Sequence, residues 1–163
     1  MSGRADVGRT AVYAAEEAAF GGTSLDDERT LAELVAVAAE LTSGDWWTSA
    51  DGPAVTVVPA RAGARSSCAR ATGHPDAPVV VTMATGQLTL ATLAHELAHA
   101  LAGVARGHDA TFRAAHEDVV ALLGGASAAR AITAAYAGLG VPPGARQWPA
   151  PVRMVGDGFA VLP

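Results

Sequence analysis

The stretch HELAHALAGVARGHDATFR, residues 95–113, constrains this chain more than any other, because it reads as an amphipathic helix, a break and the start of a second helix. Residues four apart on a helix lie about 40° from one another, so His95 and His99 aim their imidazoles at one point. Leu90, Leu93, Leu97, Leu101 and Val104 cluster on the opposite side. The helix therefore offers an apolar stripe to a core and a histidine stripe to something else. Glu96, rotated about 100° from His95, flanks the pair without being a ligand. This is the HExxH arrangement, in which two imidazoles bind zinc and the glutamate acts as general base. The bland reading is a helix with surface histidines, and the opposed stripes weigh against it.

Catalytic zinc takes three protein ligands and leaves a fourth position open. Two residues compete for third ligand. His108 follows the Arg106-Gly107 break, so the chain can fold back and present it beside the pair. Glu117 lies on the next helical run, where Phe112, Ala115, Val119 and Leu123 form the apolar stripe and Glu117 points away from it. His108 is the better candidate, giving His95, His99 and His108 around one Zn2+ ion with Glu96 as the base. Asp109 fits an N-cap better than a support for a ligand imidazole. His116, nearer the core stripe, reads as a packed histidine or a partner of a ligand.

At 163 residues the chain is long enough for one domain with its own core. Half of it is hydrophobic and 17% charged, which argues against disorder over most of its length. A net charge of −5 argues against coating nucleic acid or an anionic membrane by charge alone. Cys68 is the only cysteine, so no internal disulfide forms and no zinc ribbon is encoded. The start, MSGRADVGRTAVYAAEE, lacks the apolar core of a signal peptide, and no run of about eighteen apolar residues stands out. The expectation is a cytoplasmic protein with no membrane segment.

Helical runs are expected over 9–20, over 24–44 with Ser24 opening a capping box, over about 90–105, and over 109–123 and 126–138. AVTVVPA (54–60) and VVVTMA (79–84) read as strands, and ARSSCARAT (64–72) as a strand pairing with 54–60 through the Ala62-Gly63 turn. From Val141 the chain is rich in Pro and Gly, and PVRMVGDGFAVL suggests a hairpin around Gly156-Asp157-Gly158. Blocks of helices, strands and helices predict an α+β fold with a small, mostly antiparallel sheet of about three strands. The predicted organisation is one domain over 1–141 and an extension over 142–163.

HELAH followed by a GHDATF histidine resembles the SprT-like zincins, whose third ligand lies in a Gly-His-x-x-x-Phe segment. RTAVYAAE, the HELAH helix, HDATF and GGASAARAITAAYAGLGV together are similar to an actinobacterial family classed as metallohydrolases, over roughly residues 9 to 141. The resemblance implies a minimal zincin-like domain with His95, His99 and His108 as ligands and Glu96 as catalytic base, and it supplies no substrate. Asp109 and Ala110 stand where relatives often carry Gly and Pro. SprT-like proteases that work on DNA bring basic surfaces or a zinc ribbon, so nucleic acid is not expected as a partner here.

The expected activity is zinc-dependent hydrolysis of a peptide or protein substrate, with 79–84 as an edge strand holding it. Tyr136, Arg113 and Arg130 are candidates to stabilise an oxyanion, each with core packing or solvation as the blander role. Two alternatives remain: a catalytically silent zinc-binding module using Trp46-Trp47 or the tail to dock a partner, and a hydrolase of a non-peptide amide.

Overall fold

The computed structural model describes residue 6, residues 8–74 and 76–151, and the backbone of 153–155 and 158–160. Among these the chain is α+β: five helices around a three-stranded sheet, with a separate two-stranded ribbon near the C-terminus. Helix α1 spans Arg9–Phe20, α2 Leu31–Ser43 and α3 Asp45–Ser49. Strands β1 (Val55–Pro59), β2 (Cys68–Arg70) and β3 (Val79–Met83) follow, then α4 (Leu90–Ala102) and α5 (Ala110–Gly138).

The start of α2 differs from expectation. Thr30, not Ser24, is the N-cap: its hydroxyl accepts from the Glu33 N–H at 3.2 Å while Glu33 Oε2 accepts from the Thr30 N–H at 2.7 Å. That reciprocal pair satisfies two orphan donors. Residues 24–29 instead run as a link in which Leu25 is buried and Arg29 N–H donates to Leu88 O at 2.7 Å.

The sheet order is β1-β3-β2, so two expectations are corrected. β2 pairs not with β1 but antiparallel with β3 (Ala69 opposite Val81), and β1 pairs parallel with β3 (Val57 opposite Val81). The sheet is therefore mixed rather than mostly antiparallel, and β3 is its centre rather than an edge. The reason is apolarity: Val79, Val81 and Met83 are buried on the face towards the helices, and the most apolar strand takes the position bonded on both sides. A parallel β1–β3 pair also excludes a tight turn between them. β2, three residues long, forms one free edge.

Leu93 and Leu97 of α4 are fully buried, together with Phe112, Val119 and Ile132 of α5 and Val12 of α1. Each large side chain so placed contributes about 2 kcal/mol of hydrophobic stabilisation. The expected boundary between 123 and 126 is a break inside α5 at Gly125 (φ 77, ψ 179). By length and composition α5 is apolar enough to cross a membrane, which sequence inspection overlooked, yet it is interrupted there and gives Phe112, Ala115, Val119, Ile132 and Tyr136 to the core.

Trp46 and Trp47 lie on α3. Trp47 is core and donates to Pro53 O, while Trp46 donates to Pro149 O at 2.9 Å. Both indoles are thus engaged within the chain. Residues 142–151 run back along α5, held where Arg146 grips the buried Asp118 carboxylate at 2.7 and 2.8 Å and Trp148 donates to it at 2.9 Å. The expected hairpin is present as β4 (Arg153–Val155) and β5 (Gly158–Ala160), antiparallel, with turn residues 156–157 outside the described set.

Candidate metal centre

Thr89 caps α4 by accepting from the Thr92 N–H at 3.1 Å, and the helix carries His95, Glu96 and His99 before ending at Ala102. Two glycines then reverse the chain. Gly103 (φ 104) stops the helix, a 3₁₀ turn spans Val104–Arg106, and Gly107 (φ 62, ψ −140) turns the backbone again. A side chain at either would be strained. The result sets His108 over His95, and Asp109 begins α5 as its N-cap by accepting from the Phe112 N–H at 2.9 Å.

His95, His99 and His108 form one cluster. His95 Nε2 lies 3.2 Å from His99 Nε2 and 3.1 Å from His108 Nε2. Tetrahedral zinc with bonds of about 2.0–2.1 Å separates its ligands by about 3.3 Å, so the spacing fits a single small cation. Protonation strengthens the fit. His95 Nδ1–H donates to Glu16 Oε1 at 2.5 Å, and His108 Nδ1–H donates to Asp6 Oδ2, whose other oxygen accepts the His108 backbone N–H at 3.2 Å. With Nδ1 as the donor, each Nε2 carries a bare lone pair. In neutral rings two such lone pairs facing at 3.1 Å repel unless a proton or a metal cation lies between them. Carboxylate–histidine pairs of this kind orient metal ligands and raise their basicity.

Phe112 forms the floor, its ring centroid 4.3 Å from that of His99 and 4.9 Å from that of His108. Tyr13 stacks on His95 at 5.5 Å and 12°, and the Arg9 guanidinium lies 5.5 Å from the Tyr13 ring. His95 and Glu96 are each 5% exposed, so the side of α4 opposite its leucine stripe is covered too, by α1 and by the turn carrying His108.

Burial pulls the His99 imidazolium down, with the His95 and His108 charges adding to it, to a pKa of about 3. Burial also opposes the charged form of His95, but the bond and charge of Glu16 outweigh it and the net direction is up. Glu16 and Asp6 end below the usual carboxylate range: burial works against them and their histidine partners prevail. Glu96 moves up, driven by burial, against the pull of His95 and of the Ala69 backbone N–H that faces its carboxylate.

Two adjoining clefts open here. One, of about 190 Å³, is lined by the three histidines, Glu96, Arg9 and Cys68. The other, of about 260 Å³, shares Tyr13, Ser67, His95 and Glu96 with it and continues past Glu17 and Asp26. The outer edge of β2 borders the histidine cluster and Glu96: Ser67 lines both clefts, Cys68 and Ala69 line the one with the histidines, and the Ala69 N–H is turned to Glu96.

The other residues singled out in the sequence lie elsewhere. Glu117 ion-pairs with Arg146 at 3.7 Å and is outside the cluster. His116 is fully buried, its Nδ1 2.6 Å from the Tyr136 hydroxyl and its Nε2 3.6 Å from Glu16 Oε1. Burial lowers its pKa to about 4, and it backs the carboxylate that holds His95. Tyr136 is therefore core, Arg113 is tied to His108 O at 2.7 Å and Pro142 O at 3.1 Å, and Arg130 is an exposed residue of α5. Sequence reasoning missed Asp6, Arg9, Tyr13 and Glu16. Arg9, Tyr13 and Glu16 share one face of α1 at spacings of four and three, Asp6 lies three residues ahead of the helix, and that polar stripe was the available signal. Compared with protein-family models, with curated proteins and with solved structures, the chain matches none.

Proposed function

We propose that this protein is a zinc-dependent metallohydrolase, a metallopeptidase of the SprT-like zincin kind that HELAH and its downstream histidine resemble. His95, His99 and His108 are the metal ligands. As neutral imidazoles they would hold zinc, which when bound would supply Lewis-acid polarisation of a substrate carbonyl and lower the pKa of water towards 7. Glu96 is the general base: it takes the proton of the attacking water and delivers it to the leaving amine. Its raised pKa suits a group that must both accept and return a proton. The β2 edge offers main-chain groups for an extended peptide, in place of the β3 edge first expected. Tyr13, 44% exposed and lining both clefts, replaces Tyr136 as the hydroxyl for a developing oxyanion.

One observation carries the reading: a buried carboxyl, Glu96, sits beside the ligand cluster and lines the open clefts with His95. A purely structural site has no use for a base there. The test is zinc content of the purified protein followed by hydrolysis of casein and a peptide library. Wild type should hold one zinc per chain and cleave, whereas Glu96→Gln should keep the zinc and lose at least a hundredfold in rate. Zinc retained with no hydrolysis of any peptide by wild type would favour a silent binding module or a non-peptide amide substrate.

A further inference from the structure

Between Asp51 and Asp76 the chain carries three arginines, Arg61, Arg65 and Arg70, and no acidic residue, within a protein of net charge −5. The fold gathers all three around one cavity of about 420 Å³ on the outer face of the sheet, with Ser66, Cys68 and Thr82 in its wall and no carboxylate. Among the described residues the arginines in ion pairs are Arg106 and Arg146, and none of these three takes part in one. Three like charges around one cavity, with no counter-charge among the described residues, create a positive field suited to an anion.

The place of this cavity relative to the catalytic edge gives it meaning. Cys68 and Arg70 stand opposite Thr82 and Val80, on the outer face, whereas Ala69 stands opposite the fully buried Val81 and packs on the core. Cys68 lines both the arginine cavity and the metal cleft. A peptide added along the β2 edge alternates its side chains between faces. The residue opposite Ala69 points inward, and its two neighbours point outward, beside Cys68 and Arg70. Guanidinium groups bind carboxylates through paired N–H donors in a fixed fork. The other arm of the clefts carries Glu17 and Asp26, which repel acidic segments and so fix on which side they lie.

We infer that Arg61, Arg65 and Arg70 form a subsite for Asp or Glu side chains of the substrate peptide, flanking the residue that pairs with Ala69. This rests on the metallopeptidase reading, so the test reads binding apart from turnover. Zinc-loaded Glu96→Gln protein is titrated with fluorescein-labelled octapeptides that carry Glu or Gln at two alternate positions. Fluorescence anisotropy is followed at 50 and 200 mM NaCl. The Glu peptide should bind at least tenfold more tightly at low salt, and the difference should shrink at high salt. The triple variant Arg61→Ala/Arg65→Ala/Arg70→Ala should bind both peptides alike with its zinc content and circular dichroism unchanged; Arg65→Glu alone should reverse the preference. Equal affinity for the two peptides, or a preference that survives the triple variant, overturns the subsite. So does tighter binding of a single-stranded oligonucleotide of the same charge, which would assign the cavity to nucleic acid. Should wild type cleave nothing while the Glu peptide still binds through the arginines, the hydrolase reading fails and the subsite stands. Equal cleavage and equal binding of the Glu and Gln peptides give the reverse.

Discussion

Replacing Glu16 should weaken zinc binding in two graded steps. Its Oε1 accepts the His95 Nδ1–H at 2.5 Å and lies 3.6 Å from His116 Nε2, so it serves both orientation and charge. Glu16→Gln keeps an acceptor oxygen for Nδ1–H and removes the negative charge that raises the basicity of the ligand. Glu16→Ala removes both and leaves two imidazole nitrogens facing an empty space. Loss of such a partner costs 10–100-fold in metal affinity, or about 1.4–2.7 kcal/mol. Glu16→Gln belongs near the lower end and Glu16→Ala near the upper. The assay is competition with a chromophoric zinc chelator at pH 7.5, with the exposed neighbour Glu17→Ala as the control expected to change affinity less than twofold. Denaturation of the metal-free variants separates a weakened site from a weakened fold. If Glu16→Ala binds zinc within threefold of wild type while folded, the carboxylate does not support His95 in the way the geometry requires.

Three further outcomes follow from the same contacts. Tyr13→Phe should lower kcat by one to two orders of magnitude with zinc affinity unchanged, measured on any peptide that wild type cleaves; an unchanged kcat removes Tyr13 from oxyanion stabilisation. Arg146→Ala should cost about 3 kcal/mol in urea denaturation, because it strips the paired charge from the fully buried Asp118; a cost below about 1 kcal/mol would mean that Trp148 and other partners suffice. The metal-free protein should be acid-sensitive. His99 and His116 have folded pKa values of about 3 and about 4, both depressed first by burial. The unfolded chain therefore takes up their protons first. Their contribution is complete above the unfolded histidine value of about 6.5 and is lost as pH falls towards the folded values, by about 3 kcal/mol for the two together between pH 6.5 and 5, offset in part by His95, whose raised pKa works in the opposite direction. Glu16, with its depressed pKa, adds a further loss only once pH drops below the ordinary carboxylate range. Urea midpoints of EDTA-treated protein that stay level over pH 7 to 5 would contradict this.

The part of the site that could be read from the sequence is the part built by local geometry. His95 and His99 are related by helical period, and His108 follows through two glycines that permit only a reversal, so three nitrogens separated by at most thirteen positions converge by short-range rules. What escaped depends on long-range docking. Asp6 meets His108 from 102 positions away and Glu16 meets His95 from 79, and neither carboxylate announces its partner in its own neighbourhood. Strand order escaped for a related reason: Cys68-Ala69-Arg70 is too short for an alternation that would assign it a neighbour, so its pairing is decided by the shape of the core around β3. The misplaced start of α2 is a different kind of miss, a choice between two capping boxes that only the positions of Leu25 and Arg29 against Leu88 and Ala91 resolve.

This division has a mechanical consequence. The three clustered imidazoles belong to α4 and the turn after it, but the carboxylates that orient two of them come from α1 and from Asp6, three residues ahead of its first residue. A chain with α1 undocked still holds three histidines near one another, yet their rings are free to choose either tautomer, and Nε2 is no longer the obligatory lone pair. On the proposed zinc-binding reading, tight metal binding is coupled to the docking of α1, whose inner face carries Val12 and Ala15 to the core while its polar stripe carries Tyr13 and Glu16 to the site. The same helix therefore anchors the fold on one side and lines the clefts beside the histidine cluster on the other. A core substitution such as Val12→Ala should accordingly reduce zinc affinity as well as stability, although Val12 carries no metal-binding group.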